Sequence, residues 1–140
     1  MIAKETKEYL NRAYRVNEMI NSNLRQIEKL RDMATNVTSN FDERVQSSPS
    51  GDRTAKIIEK IVMLQGKIKE DTDRMVDLLG EIKATIDNVS DADEKLLLTL
   101  RYVEFMKWEK ICDIMNLSER RVMQIHGKAL IHVNISERVQ

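Results

Sequence analysis

The chain has one cysteine, one proline, four glycines and only 4% aromatic residues in 140 positions. A lone Cys112 excludes an intramolecular disulfide framework and a thiolate-rich zinc site, and it suits a reducing compartment. Scarce proline and glycine remove the usual punctuation of turns, and few aromatics leave little to build sheets from. No apolar run reaches the ~20 residues needed to span a bilayer, and the start, Met-Ile-Ala-Lys-Glu-Thr-Lys-Glu, is not a signal peptide. A cytoplasmic protein without a membrane partner is expected. Charge of one sign is also missing: 23 basic residues face 23 acidic ones. Nucleic-acid modules are usually basic, so any such affinity should be modest and in need of a second subunit or a protein partner.

Catalytic and metal-binding constellations are absent too. His126 and His132 have no carboxylate or thiol at ligand spacing and read as ordinary surface or boundary residues. Gly51, Gly66, Gly80 and Gly127 are scattered singly and form no phosphate loop. The pairs Glu70-Asp71 and Asp71/Asp73 sit on a densely charged helix face, where solvation explains them better than acid–base work. No enzyme activity, cofactor or metal is expected.

What the chain does have is helical periodicity. Apolar residues make up 41% of it, with Lys, Glu, Leu, Ile and Met prominent, which predicts an all-α fold. From Lys4 to Val37 one long helix is expected, with Leu10, Ala13, Asn17, Ile20, Leu24, Ile27, Arg31 and Ala34 alternating at spacings of three and four. Asn17 could set the register of that stripe, or be a surface residue. Periodicity lapses over 38–53, which holds the only proline and reads as a long loop. A second stripe, Ile57, Ile61, Leu64, Ile68, Met75, Leu79, Ile82 and Ile86, predicts a helix from Thr54 to about Asp87. Two such helices, each about 50 Å long, cannot leave their stripes in water. A long antiparallel, coiled-coil-like hairpin over residues 1–88 follows, with any leftover apolar edge pairing copies into a homo-oligomer.

The remaining segment, 89–140, predicts a three-helix module. Asp91 with Glu94, or Ser90 with Asp93, makes a capping-box-like start for a helix from Asp93 to Phe105. Leu96, Leu97, Leu100, Val103 and Trp108 are its expected core, too small to stand without the hairpin. Trp108, Ile111 and Met115 or Ile114 then keep helical spacing until Asn116-Leu117-Ser118 breaks it, and Val122, Ile125 and Ala129 resume it in a new phase. Asn116 tolerates the left-handed turn, Leu117 plugs the corner, and Ser118 caps a second helix whose dipole favours Glu119. This is the spacing of a helix-turn-helix. With Val122, Ile125 and Ala129 inward, Arg120, Gln124, Gly127 and Ile131 point outward, flanked by Arg121 and Lys128. Arg120 and Gln124 are the expected base-reading pair, since Arg can bond guanine and Gln adenine bidentately. Ser118, Arg121 and Lys128 are expected on phosphate, joined by Lys107 and Lys110 from the start of the first helix.

The residues Leu117, Ser118, Arg121, Val122, Gln124, Ile125, Ala129 and Leu130 match in register a pattern that resembles region 4 of the bacterial sigma factors. Leu96 to Tyr102 is similar to the segment that precedes the helix-turn-helix there. That resemblance implies a DNA-binding, sigma region 4-like fold for the last third of the chain. Many sigma factors carry Arg where Glu119 and Met123 stand here, which implies a different target sequence. The helical hairpin ahead of such a module, with Lys7 to Asn17 and Arg74 to Leu78, also resembles small phage regulators of the ArpU and RinA type. What this implies is a prophage-encoded activator of late genes that acts on double-stranded DNA in a bacterial host cell. Two alternatives remain open at this point: a sigma-like module that docks on RNA polymerase or another host protein, and a small terminase-like packaging subunit that forms rings.

Overall fold

The computed structural model describes residues 2–43 and 48–135, with side chains placed for 3–36 and 51–135. All regular structure among these residues is helical. The helices are α1 (Ile2–Leu10), α2 (Arg12–Glu43), α3 (Ser48–Asp87), α4 (Ala92–Leu98), α5 (Trp108–Met115) and α6 (Glu119–His132), with a π-helical segment, Thr99–Val103, continuing α4. The all-α expectation therefore stands.

In the two long helices, boundaries differ from the sequence reading at two places. The expected single helix from Lys4 is broken at Asn11, where the Arg12 Nε donates to the Tyr9 carbonyl at 3.0 Å and competes with the helical ladder. The break is slight, because Asn11 N–H still bonds to Lys7 and Arg15 N–H to Asn11. The expected loop over 38–53 is mostly helix, since α2 runs to Glu43 and α3 starts at Ser48. Pro49 falls in the first turn of α3, where its missing N–H would have had no helical partner anyway. The rest of the expected loop, 44–47, lies outside the described residues.

By packing, the chain divides into two units, Met1–Val16 with Met75–Gln140, and Asn17–Arg74. In the second unit, Leu30 and Met33 of α2 share a groove with Met63 and Leu64 of α3, so the two helices lie side by side. These positions are similarly distant from the connection between Glu43 and Ser48, which makes the pair antiparallel. The inward stripe of α2 is Ile20, Asn23, Ile27, Leu30 and Ala34, and that of α3 is Thr54, Ile57, Ile61, Leu64, Ile68 and Asp71. Both alternate three and four, the heptad pattern of a coiled coil. Leu24 and Arg31, expected on the α2 stripe, are exposed, Asn17 is half-buried, and Asn23 is a buried polar residue of that stripe. The cause is a phase choice: Leu24 and Asn23 are neighbours, and one helix face cannot hold both.

The first unit holds two cores. One joins Tyr9, Leu10 and Ala13 from the N-terminal helices, Ile82 and Ile86 from α3, and Ala129, Leu130 and Val133 from the end of α6. The other is the helix-turn-helix core of Leu97, Leu100, Ile111, Val122 and Ile125. Asp91 caps α4 by accepting the Glu94 N–H at 3.0 Å. The helix expected from Asp93 to Phe105 instead turns π-helical at Thr99 and ends before Phe105. Leu97 and Leu100 enter one core and Leu98 and Tyr102 the other, so the buried side of this helix is centred on Leu97 and Leu98, and Leu96, expected in the core, is 42% exposed. Phe105 then takes a left-handed conformation, φ 58°, unusual for a bulky residue. Its ring stands edge-on to Tyr14 at 5.8 Å and packs against the first core, which offsets the backbone cost.

Candidate nucleic-acid interface

The turn between α5 and α6 is built by three consecutive residues. Asn116 adopts φ 55°, ψ 47°, the left-handed conformation that ends a helix. Leu117 N–H donates to the Cys112 carbonyl at 3.1 Å and Asn116 N–H to the Asp113 carbonyl at 3.3 Å, the paired bonds of a Schellman motif. Leu117 and half-buried Cys112 pack on the helix-turn-helix core beneath this turn. Ser118 is extended and its hydroxyl accepts the Arg121 N–H at 3.2 Å, so α6 begins at a fixed place with Glu119 in its first turn.

Val122, Ile125 and Ala129 are buried, as their spacing requires, and Arg120, Arg121, Gln124, Gly127, Lys128 and Ile131 are exposed. Arg121 Nη1 donates to Gln124 Oε1 at 3.4 Å, bringing two of the expected contact residues together. Lys107 and Lys110 are exposed at the start of α5. Lys107 shares with Trp108, Cys112 and Glu119 a cleft of about 480 Å³ between the starts of the two helices. Glu119 thus brings a carboxylate beside a lysine expected on phosphate.

Three residues that hold the interface were not singled out by spacing. His126, expected at the surface or its boundary, is only 7% exposed. Its Nε2 shares a 2.7 Å hydrogen bond with the Tyr102 hydroxyl, and the Trp108 ring meets it edge-on at 4.8 Å. Burial, then the charges of Lys7 and Arg101, lower its pKa to about 4, so the imidazole is neutral at pH 7. Burial also pushes the Tyr102 phenol up to about 12, against the opposing charge of Arg101. Arg101 lies over the Trp108 ring at 4.5 Å and donates to the Met106 carbonyl at 2.8 Å, which pins the entry to α5. The only hint in the sequence was the Leu-Arg-Tyr stretch that resembles the sigma factors. His132, also expected at the surface or its boundary, closes α6 and pairs through Nδ1 with buried Glu94 at 2.5 Å.

The model of a protein family matches residues 36–134, most of the chain and all of this interface. The chain belongs to that family, described as Protein of unknown function (DUF1492). This member is also 30% identical over 102 residues to the RNA polymerase sigma-D factor of Bacillus subtilis (strain 168). The alignment covers 71% of this chain and 38% of that relative, so the chain spans well under half of the sigma factor's length. No solved structure matches the chain significantly. Among the described residues no helix is long and apolar enough to cross a membrane, and no three His, Cys, Asp or Glu side chains gather as metal ligands would.

Proposed function

We propose that this DUF1492 protein is a sequence-specific DNA-binding regulator of phage or prophage late genes, working in the bacterial cytoplasm as a dimer or higher oligomer joined through its N-terminal helices. The observation that carries the reading is the exposed Arg120–Gln124 face on a helix whose start is fixed by a left-handed Asn116 and a Ser118 cap. The likeness to a sigma factor supports it. In this reading residues 1–88 oligomerise and 89–140 bind DNA. Arg120 and Gln124 read bases, and Ser118, Arg121, Lys128, Lys107 and Lys110 hold the phosphates. The test is to measure binding of the wild type, Arg120→Ala and Gln124→Ala to promoter DNA upstream of the late genes in the same prophage. Loss of preference for that DNA over unrelated DNA is expected, and unchanged affinity and preference would refute the assignment.

A second reading has one observation in its favour. Glu119 sits in the cleft with Lys107, and Met123 is exposed on the same helix, neither of which suits a phosphate backbone. In that reading the sigma-like module docks on RNA polymerase. Co-precipitation with purified polymerase that survives nuclease, without any DNA preference, would favour it.

A further inference from the structure

In the unit Asn17–Arg74, one face of the helical pair has a composition that DNA reading does not use. Leu30, Met33, Met63 and Leu64 line an open groove of about 420 Å³. Met33 and Met63 are 46% and 58% exposed, a considerable apolar area to leave in water. The groove is completed by Gln26 and three lysines, Lys29, Lys60 and Lys67, with no carboxylate in the lining. Among the described residues Arg12 pairs with Glu81, and none of the three lysines has a carboxylate partner.

The pattern restricts the occupant. Lys60 and Lys67 stand two helical turns apart on α3, about 10 Å, and Lys29 lies on the α2 wall. A second copy offering the same face would set lysine against lysine, which disfavours self-pairing here. Methionine walls adapt to varied apolar side chains, a habit of surfaces that receive helices. We propose that this groove docks an acidic amphipathic helix from a partner protein. Its apolar stripe covers Leu30, Met33, Met63 and Leu64, one flank brings a carboxylate to Lys29, and the other brings carboxylates seven residues apart to Lys60 and Lys67. The docking site goes beyond the DNA-reading assignment and does not depend on it.

The full chain is titrated by fluorescence anisotropy against a labelled synthetic helix of about 20 residues, leucine along one stripe and glutamate on both flanks. Two control peptides accompany it, one of the same composition with the stripe scrambled and one with lysine for glutamate. Saturable binding of the acidic helix is expected, weakening as salt rises, with at least about ten-fold loss in Lys60→Glu/Lys67→Glu and a several-fold loss in Met63→Gln. All three positions are exposed, so circular dichroism and the urea unfolding midpoint should stay unchanged. Equal binding of either control peptide, no saturable binding, or insensitivity to the substitutions overturns the proposal. So does a dimer in sedimentation that Lys60→Glu/Lys67→Glu or Met63→Gln converts to monomer, because the occupant would then be a second copy.

Discussion

The Tyr102 hydroxyl and His126 Nε2 lie 2.7 Å apart, and this contact ties the π-helical segment to the middle of α6. Both groups are neutral at pH 7, since burial lowers the imidazole pKa to about 4 and raises the phenol to about 12. The bond is a neutral one in a dry setting, and neither partner can be removed without orphaning the other.

A pH dependence follows. His126 binds a proton less readily in the folded chain, at about 4, than at the ordinary 6.5 when unfolded. Its contribution is fully present above 6.5 and is lost as pH falls from there through about 4, a change on the order of 3 kcal/mol. Urea unfolding at a series of pH values should show this slope in the wild type and a shallower one in His126→Gln. Parallel slopes would mean that the imidazole is not held neutral. Tyr102→Phe, which strips the partner from Nε2, should cost about 1–3 kcal/mol at pH 7.

Asn116 is the one residue of the helix-turn-helix turn that must be left-handed, at φ 55°. Asn116→Gly should leave stability within about 0.5 kcal/mol or improve it, whereas Asn116→Val should cost about 1–2 kcal/mol or more. Denaturant midpoints compare the three chains directly. Similar losses for Gly and Val would point to the side chain's bonding instead of the backbone's conformation.

Leu10 and Leu24 fall on the same stripe in the sequence but not in the fold. Leu10 is fully buried and Leu24 is 49% exposed. Leu10→Ala should therefore destabilise by about 2–5 kcal/mol, and Leu24→Ala by no more than about 0.5 kcal/mol. Chemical unfolding of both variants would show it, and comparable losses would mean that Leu24 is covered in solution.

The phosphate assignments have their own signature. Replacing Lys107, Lys110, Arg121 or Lys128 by Ala one at a time should weaken binding to all DNA sequences alike and lower the salt-dependence slope by about 1 each. Filter binding or anisotropy across a salt series measures this. An unchanged slope at any one position removes that residue from the contact set.

Local chemistry made much of this molecule legible in its sequence. The Asn116 turn, the Ser118 and Asp91 caps, and the inward set Val122, Ile125 and Ala129 all follow from what these residues do within a few positions of themselves. Phase over long distances was harder. Leu24 and Asn23 compete for one face, and the winner is set by what lies across the groove. Leu96 reads as core by spacing, but adjacent Leu97 and Leu98 serve two different cores, an arrangement set by tertiary packing that leaves Leu96 outside both. His126 reads as a surface or boundary residue because its partners, Tyr102 and Trp108, belong to other elements and meet it only through tertiary packing. The outward face of Arg120 and Gln124 was readable for the same reason that the caps were: it is fixed once the start of α6 is fixed.

Helix α6 gives Val122 and Ile125 to one core and Ala129 and Leu130 to the other. It is seated like a shaft in two bearings, one in the helix-turn-helix and the other beneath the N-terminal helix. A rigid shaft cannot turn in one bearing alone. Held in both, α6 has no freedom to roll, and Arg120 and Gln124 stay on the face that neither core covers.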